Sequence, residues 1–339
     1  MSEPLINNAS AIFQDRAGTF WIGSLLGLYT YNEKRNQWLN FREKQEQKFF
    51  KSVKTICQDK AGRVWIISLR SEIKFFDGQH WHSGEELSPP VPLPVDNCVL
   101  FTGKDGKLWF VTGTGLIAFD GKEWTSPMMP SKHIEEIYAQ MPIKYRDEQE
   151  EKWAVSERLA QGENERSEKA VKKVKHTDIL LPTIYHGLQD RYGSIWLGAR
   201  KAIVRFNPKE NAWKVYPLQG LVEVRLIYED RQGRLWFADE QGHLSVYNQK
   251  LGNWKSYDLS IYFPQIQPKR ITSIYQSKAG QIMIGTRDGL VLFMERENRW
   301  RILSEGNPNL PVYGVTAIVE DKLGRIWISE SQGILVLEQ

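Results

Sequence analysis

The sequence predicts an all-β fold, a seven-bladed β-propeller of four-stranded antiparallel blades, on three observations. The first is a recurring frame: DRAGTFW at Asp15 returns as DKAGRVW at Asp59, GKDGKLW at Gly103, DRYGSIW at Asp190, DRQGRLW at Asp230, SKAGQIM at Ser277 and DKLGRIW at Asp321. The starts lie 44, 44, 87, 40, 47 and 44 residues apart, so seven copies share one period and one gap is about twice the others. The second is a further tryptophan 15 to 18 residues beyond the first, at Trp38, Trp81, Trp124, Trp213, Trp254 and Trp300. Twelve of the thirteen tryptophans thus occupy two repeat positions, and only Trp153 stands apart. The third is the chemistry between these marks, which reads as short strands punctuated by turns.

Each copy justifies four strands in order. A β-branched stretch such as Thr272 to Tyr275 leads into Asp-x-x-Gly, which supplies a side-chain acceptor at the start of a tight turn and a positive φ at its end. The second strand carries the first tryptophan, as in Leu235 to Ala238, and a short polar loop often ending in glycine (Gly27, Gly115, Gly242, Gly289, Gly333) follows. A third strand such as Leu244 to Tyr247 alternates, and a fourth, such as Trp213 to Tyr216, carries the second tryptophan. Units of this kind bury both faces by stacking round an axis. The indoles are expected to fill the space between adjacent sheets, and the repeated aspartates to form turns rather than to catalyse.

Composition narrows the function classes. Forty-five Lys and Arg against 41 Asp and Glu give a net charge of +4, too dilute for a nucleic-acid footprint. No apolar run approaches the roughly 18 residues that cross a bilayer, and Met1 to Asn8 has no signal-peptide character, so the expectation is a cytoplasmic chain with no membrane partner. Cys57 and Cys98 alone make neither a disulfide framework nor a thiolate metal site, and no cofactor is expected.

The pattern D-x-x-G-x-[LIV]-W-[IL]-G, followed by G-[LI] and an aromatic, resembles the two-component regulator propeller repeat. It is clearest at Asp15 to Tyr31 and Asp190 to Phe206, and departs at Gly103, Ser277 and Met283. The resemblance implies a sensing or interaction module of the kind found outside the cytoplasm, joined to kinases or DNA-binding regulators.

One domain is expected over 1–339, interrupted between the third and fourth copies by a charged insertion at 126–180. Its stretch from Ser131 to Ile179 holds 10 basic and 11 acidic residues, and Asp147 to Ala160 and Arg166 to Lys175 have helix-forming composition, so the segment is expected to be helical or mobile. Trp153 within it is a partner-binding candidate, because a lone indole among charges needs an apolar surface to cover it. The last copy reaches Gln339 just past its third strand, which leaves a three-stranded blade with an edge for a partner strand unless Leu5 and Ile6 add a fourth.

A catalytic constellation is missing from the sequence: it contains no His-x-x-x-His, Cys-x-x-Cys or nucleophile elbow. His80 and His82 flank Trp81 as a surface pair, and a metal-assisted lyase would need His186 and His243 to converge with acids. The expectation is therefore a non-enzymatic module. Its binding site is placed by geometry. Loops between second and third strands share a face with the connectors between blades, so Leu25, Arg70, Thr114, Arg200 and Lys201, with Asp239, Glu240, Arg287, Asp288 and Glu330, should ring one mouth of the channel. A protein partner or a small anionic or carbohydrate-like ligand is expected there.

Overall fold

The computed structural model describes residues 6, 9–24, 27–41, 53–68, 73–90, 99–112, 115–125, 184–200, 202–263, 270–303, 314–330 and 333–337. The expected helical insertion, Trp153 and Leu5 lie outside them.

Seven antiparallel sheets form, six of four strands and a last of three. Blade 1 shows the plan, with strands Ala9–Gln14, Thr19–Ser24, Gly27–Asn32 and Gln37–Asn40. Blades 2 to 7 span 53–83, 99–125, 184–216, 226–258, 271–302 and 317–337. Each first strand lies against the first strands of its two neighbours, and that of blade 7 lies against that of blade 1, so the seven close into a ring. Asp-x-x-Gly turns and third-to-fourth strand loops share one face, the turn face. Second-to-third strand loops and connectors share the opposite face, the mouth face.

The apolar core is divided into seven clusters, one per interface between adjacent blades. In each, the indole of one blade, or Met283, meets the residue that precedes that position in the next. Trp65 meets Leu108, Trp196 meets Leu235, and at the ring closure Trp327 meets Phe20 with ring centroids 4.3 Å apart. Trp65, Trp196 and Trp236 are fully buried, as the gap-filling expectation requires. The glycine two residues after the tryptophan is explained by the same interfaces: a Cβ on Gly198 would sit 2.6 Å from a Val224 methyl of the connector to blade 5.

The three-stranded last blade matches expectation. Ile6 adds no strand to it; it is buried in the blade 7 to blade 1 cluster instead. Closure uses packing and hydrogen bonds. The Thr316 and Ser329 hydroxyls donate to the Ala9 carbonyl, and the Lys322 ammonium donates to the Arg16 carbonyl at 2.9 Å.

Candidate functional site

On the turn face the repeat's polar groups are consumed by structure. In five blades the aspartate is buried and one carboxylate oxygen accepts the indole N–H six residues on: Trp21 to Asp15 at 2.8 Å, Trp65 to Asp59 at 2.9 Å, Trp196 to Asp190 at 2.7 Å, Trp236 to Asp230 at 2.8 Å and Trp327 to Asp321 at 2.9 Å. The other oxygen accepts the backbone N–H that re-enters the second strand, as at Ser194 and Arg234 (2.9 Å each). Three blades add a guanidinium to the clasp: Arg63, Arg234 and Arg325 donate to Asp59, Asp230 and Asp321 at 2.6 to 2.7 Å. The repeated aspartates are therefore turn formers, as expected, and indole clasps besides.

A second device joins blade to blade. The residue before the turn is Gln or Glu in six copies, and in five of them its side chain accepts a backbone N–H from the preceding blade's turn. Arg16 donates to Gln58 at 3.0 Å, Asp105 to Gln189 at 3.3 Å, Arg191 to Glu229 at 3.1 Å, Arg231 to Gln276 at 2.7 Å and Lys278 to Glu320 at 2.8 Å.

The mouth face is built differently. The first strand of blade 4, Ile184–Gln189, breaks register between Ile184 and His186, so Tyr185 is the extra residue of a β-bulge. The Arg225 guanidinium lies 3.6 Å over the Tyr185 ring, a cation–π contact. Arg225 Nε is 2.6 Å from Glu223 and 3.7 Å from Glu240, and Arg270 Nε is 3.8 Å from the same Glu240. Desolvation raises the Tyr185 phenol above its usual pKa, against the opposing charges of Arg225 and Arg200.

Of the residues expected at the mouth, Glu240 joins this network. Arg200 and Arg287 are exposed on the same face, with Asp288 and Glu330 half-buried. Asp239 is fully buried and its carboxylate holds the loop: it accepts from the backbone N–H groups of Gln241 (2.8 Å), His243 (3.0 Å) and Val222 (3.1 Å) and pairs with His243 Nδ1 (2.7 Å). Leu25, Arg70, Thr114 and Lys201 lie outside the described residues. Tyr185, Arg225 and Arg270 were missed by sequence reasoning: the same bulge recurs in blades 1, 2 and 6 with Ser10, Lys54 and Thr272 as its extra residue, so the repeat does not single out Tyr185.

His243 has acid neighbours, Asp239 and Asp258 (3.9 Å), while the His186 Nδ1 is buried without a partner and burial pulls its pKa down to about 4. His82 sits between Asp77 (2.8 Å) and Glu86 (2.9 Å) on the rim of blade 2. Among the described residues no group of three or more His, Cys, Asp and Glu side chains is placed to hold a metal ion. None of their helices is long and apolar enough to cross a membrane.

No curated protein sequence matches the chain. Among solved structures, the extracellular domain of a protein described as a hybrid two component system, BT3049 from B. thetaiotaomicron, superposes with a TM-score of 0.67 at 16% identity. It covers 98% of this chain but only 40% of its own, so this chain spans well under half of that neighbour. A virginiamycin B lyase from Staphylococcus aureus, solved with quinupristin, superposes at 0.63 with 12% identity over 99% of this chain and 96% of its own. YCF48 from Cyanidioschyzon merolae superposes at 0.62 with 12% identity over 99% and 96%. The sequence signature of the two component regulator propeller matches residues 218–241, the connector and Asp-x-x-Gly hairpin of blade 5. With the same frame in seven copies and the ring closed, the chain is a seven-bladed propeller, and the repeat at residues 218–241 matches the two component regulator propeller.

Proposed function

We propose that the chain is a non-catalytic recognition module whose mouth face captures a protein partner or a small ligand. The Tyr185–Arg225–Glu240 network carries the reading: it is a charged, aromatic surface spanning blades 4 to 6, on the face that the clasps and latches leave free. Exposed Arg200 and Arg287 supply cations for an anionic or carbohydrate-like group, and Asp288 and Glu330 supply acceptors for hydroxyls. The likeness to extracellular domains of two component systems supports a sensing role with output on other domains or chains, and an extracytoplasmic setting over the cytoplasmic one. Lyase activity is the minor reading; it rests on shared fold and on His243 with its two acids.

The test is capture by the full chain and by an R200A/R287A double variant, both side chains being exposed. Cross-linking and mass spectrometry report a protein partner, and thermal shift against a panel of acidic oligosaccharides reports a small ligand. Capture or shift should fall about tenfold in the variant, which corresponds to roughly 1.4 kcal/mol. Undiminished capture sinks the assignment to this face.

A further inference from the structure

The clasp is broken in one blade in a way that leaves half of it behind. Blade 6 lacks both members, with Ser277 and Met283. Blade 3 has Gly103 in place of the aspartate but keeps Trp109, which is 4% exposed and whose Nε1 has no hydrogen-bond partner among the described residues. A side-chain carbon at 103 would lie 3.0 Å from that Nε1. The acceptors nearest that point are engaged elsewhere: Gln189 Oε1 takes the Asp105 N–H, and Asp105 Oδ1 takes the Lys107 N–H at 3.1 Å.

Trp109 also lines a cleft of about 740 Å³ between blades 3 and 4 on the turn face. Four cations border it: Lys104, Lys107, Arg191 and Lys209. Lys104 and Arg191 share the buried carboxylate of Glu229, whereas Lys107 and Lys209 face the cleft with Tyr192, half-exposed, beside them. The acids at the cleft are Asp105, exposed on the rim, and Asp190, buried and held by its own turn and Trp196. The corresponding cleft between blades 5 and 6 includes Trp236, but there Asp230 already takes the indole N–H. The blade 3 to blade 4 cleft thus combines space, cations and a desolvated donor that the same fold elsewhere gives to a carboxylate.

We propose that this cleft binds a carboxylate, on a small organic acid or on an acidic peptide, with one oxygen accepting the Trp109 indole N–H and Lys107 and Lys209 balancing its charge. The site is separate from the mouth face and does not depend on the function assigned there.

The experiment titrates the full chain with citrate and, separately, with a glutamate-rich peptide, and follows the indole N–H signals by NMR. One indole resonance, absent in W109F, should move, and W109F should weaken binding about tenfold or more. G103D supplies a carboxylate from within, its Cβ displacing the Gln189 and Asp105 side-chain oxygens that lie 2.5 and 2.6 Å from that point, and it should abolish binding of either probe. Response to citrate identifies a small acid as sufficient, and response to the peptide alone identifies a peptide-borne group. The proposal is overturned if neither probe moves an indole signal, or if G103D binds them as well as the unaltered chain. G103D keeps the test decisive should W109F fail to fold.

Discussion

Replacing Asp190 by alanine tests the clasp as the device that ties each blade's turn to its own indole. The carboxylate is fully buried and accepts from Trp196 Nε1 at 2.7 Å, Ser194 N at 2.9 Å and Tyr192 N at 2.9 Å. The Tyr192 N–H lies in a turn that water can reach, so its loss costs little. The other two bonds are buried, and a buried donor left without a partner costs about 1 to 3 kcal/mol, which puts D190A at about 3 to 4 kcal/mol. Two buried donors left without an acceptor set the net sign as destabilising. D190N should fall between: its carbonyl oxygen can still serve Ser194 while its amide group opposes the indole N–H, for a cost of about 2 kcal/mol. Urea unfolding of the three proteins, followed by tryptophan fluorescence and by circular dichroism, reads these differences. A D190A chain within about 1 kcal/mol of the parent would refute the reasoning, because that is the size of an ordinary surface substitution with some scatter.

Phe20 is fully buried against Trp327 at the ring closure, so F20A should cost about 3 to 5 kcal/mol. Hydrogen exchange should quicken first in blades 1 and 7, and equal quickening in blades 3 to 5 would count against seven semi-independent interfaces. His186 has a pKa of about 4 in the folded chain against 6.5 as a free group, so the unfolded chain binds the extra proton between those values. Stability should therefore be full above pH 6.5 and fall as pH drops toward 4, by about 3 kcal/mol at the limit. An H186L chain should lack that component, and identical pH profiles for the two would exclude it. The His82 imidazolium donates to both Glu86 and Asp77, whose hydrogen bonds raise its pKa, so its contribution is present at low pH and lost as pH rises through the raised value. NMR titration should show E86Q lowering that pKa; an unmoved midpoint would rule out the contact.

The blade count, the strand order and the packing role of the indoles were legible in the sequence because all three are properties of the period. A ring at one blade position meets the same neighbour in every copy, and the seven interface clusters follow from that. The clasp was not read, although its trace was present. Asp and Trp six residues apart occur together in five copies and vanish together at Ser277 and Met283, which points to a direct contact. The blade-to-blade bond had a trace too, in the Gln or Glu before six of the seven turns. The mouth was only half legible. Loop position correctly put Glu240 on that face, but Asp239, next to it, is turned inward by His243 and three backbone N–H groups. Tyr185 sits in a bulge that the period repeats, but a tyrosine at that place and Arg225 in the adjoining connector are particular to one blade.

The division between the two faces follows from how the repeat uses its polar groups. A hairpin turn between buried sheets leaves donors that cannot be hydrated, and the repeat answers in five blades with an aspartate for the turn and the indole, and in five with a Gln or Glu that accepts from the preceding blade's turn. Most of the turn face is then committed, which rigidifies the ring and leaves few groups for recognition. The mouth face carries a lighter repeated assignment, the Ser10, Thr272 and Thr316 hydroxyls donating to the Val53, Val315 and Ala9 carbonyls across the blade interfaces, and the Arg225 network exists at one place on the ring. The same logic gives meaning to blade 3. Where a structural rule is kept six times in some complete form, present or absent as a pair, a copy that retains the buried donor and discards its acceptor sustains a cost of about 1 to 3 kcal/mol that nothing else in the blade recovers. A ligand carboxylate that supplies the missing acceptor would remove that cost only when bound, which makes the broken clasp a source of binding energy rather than a flaw in the repeat.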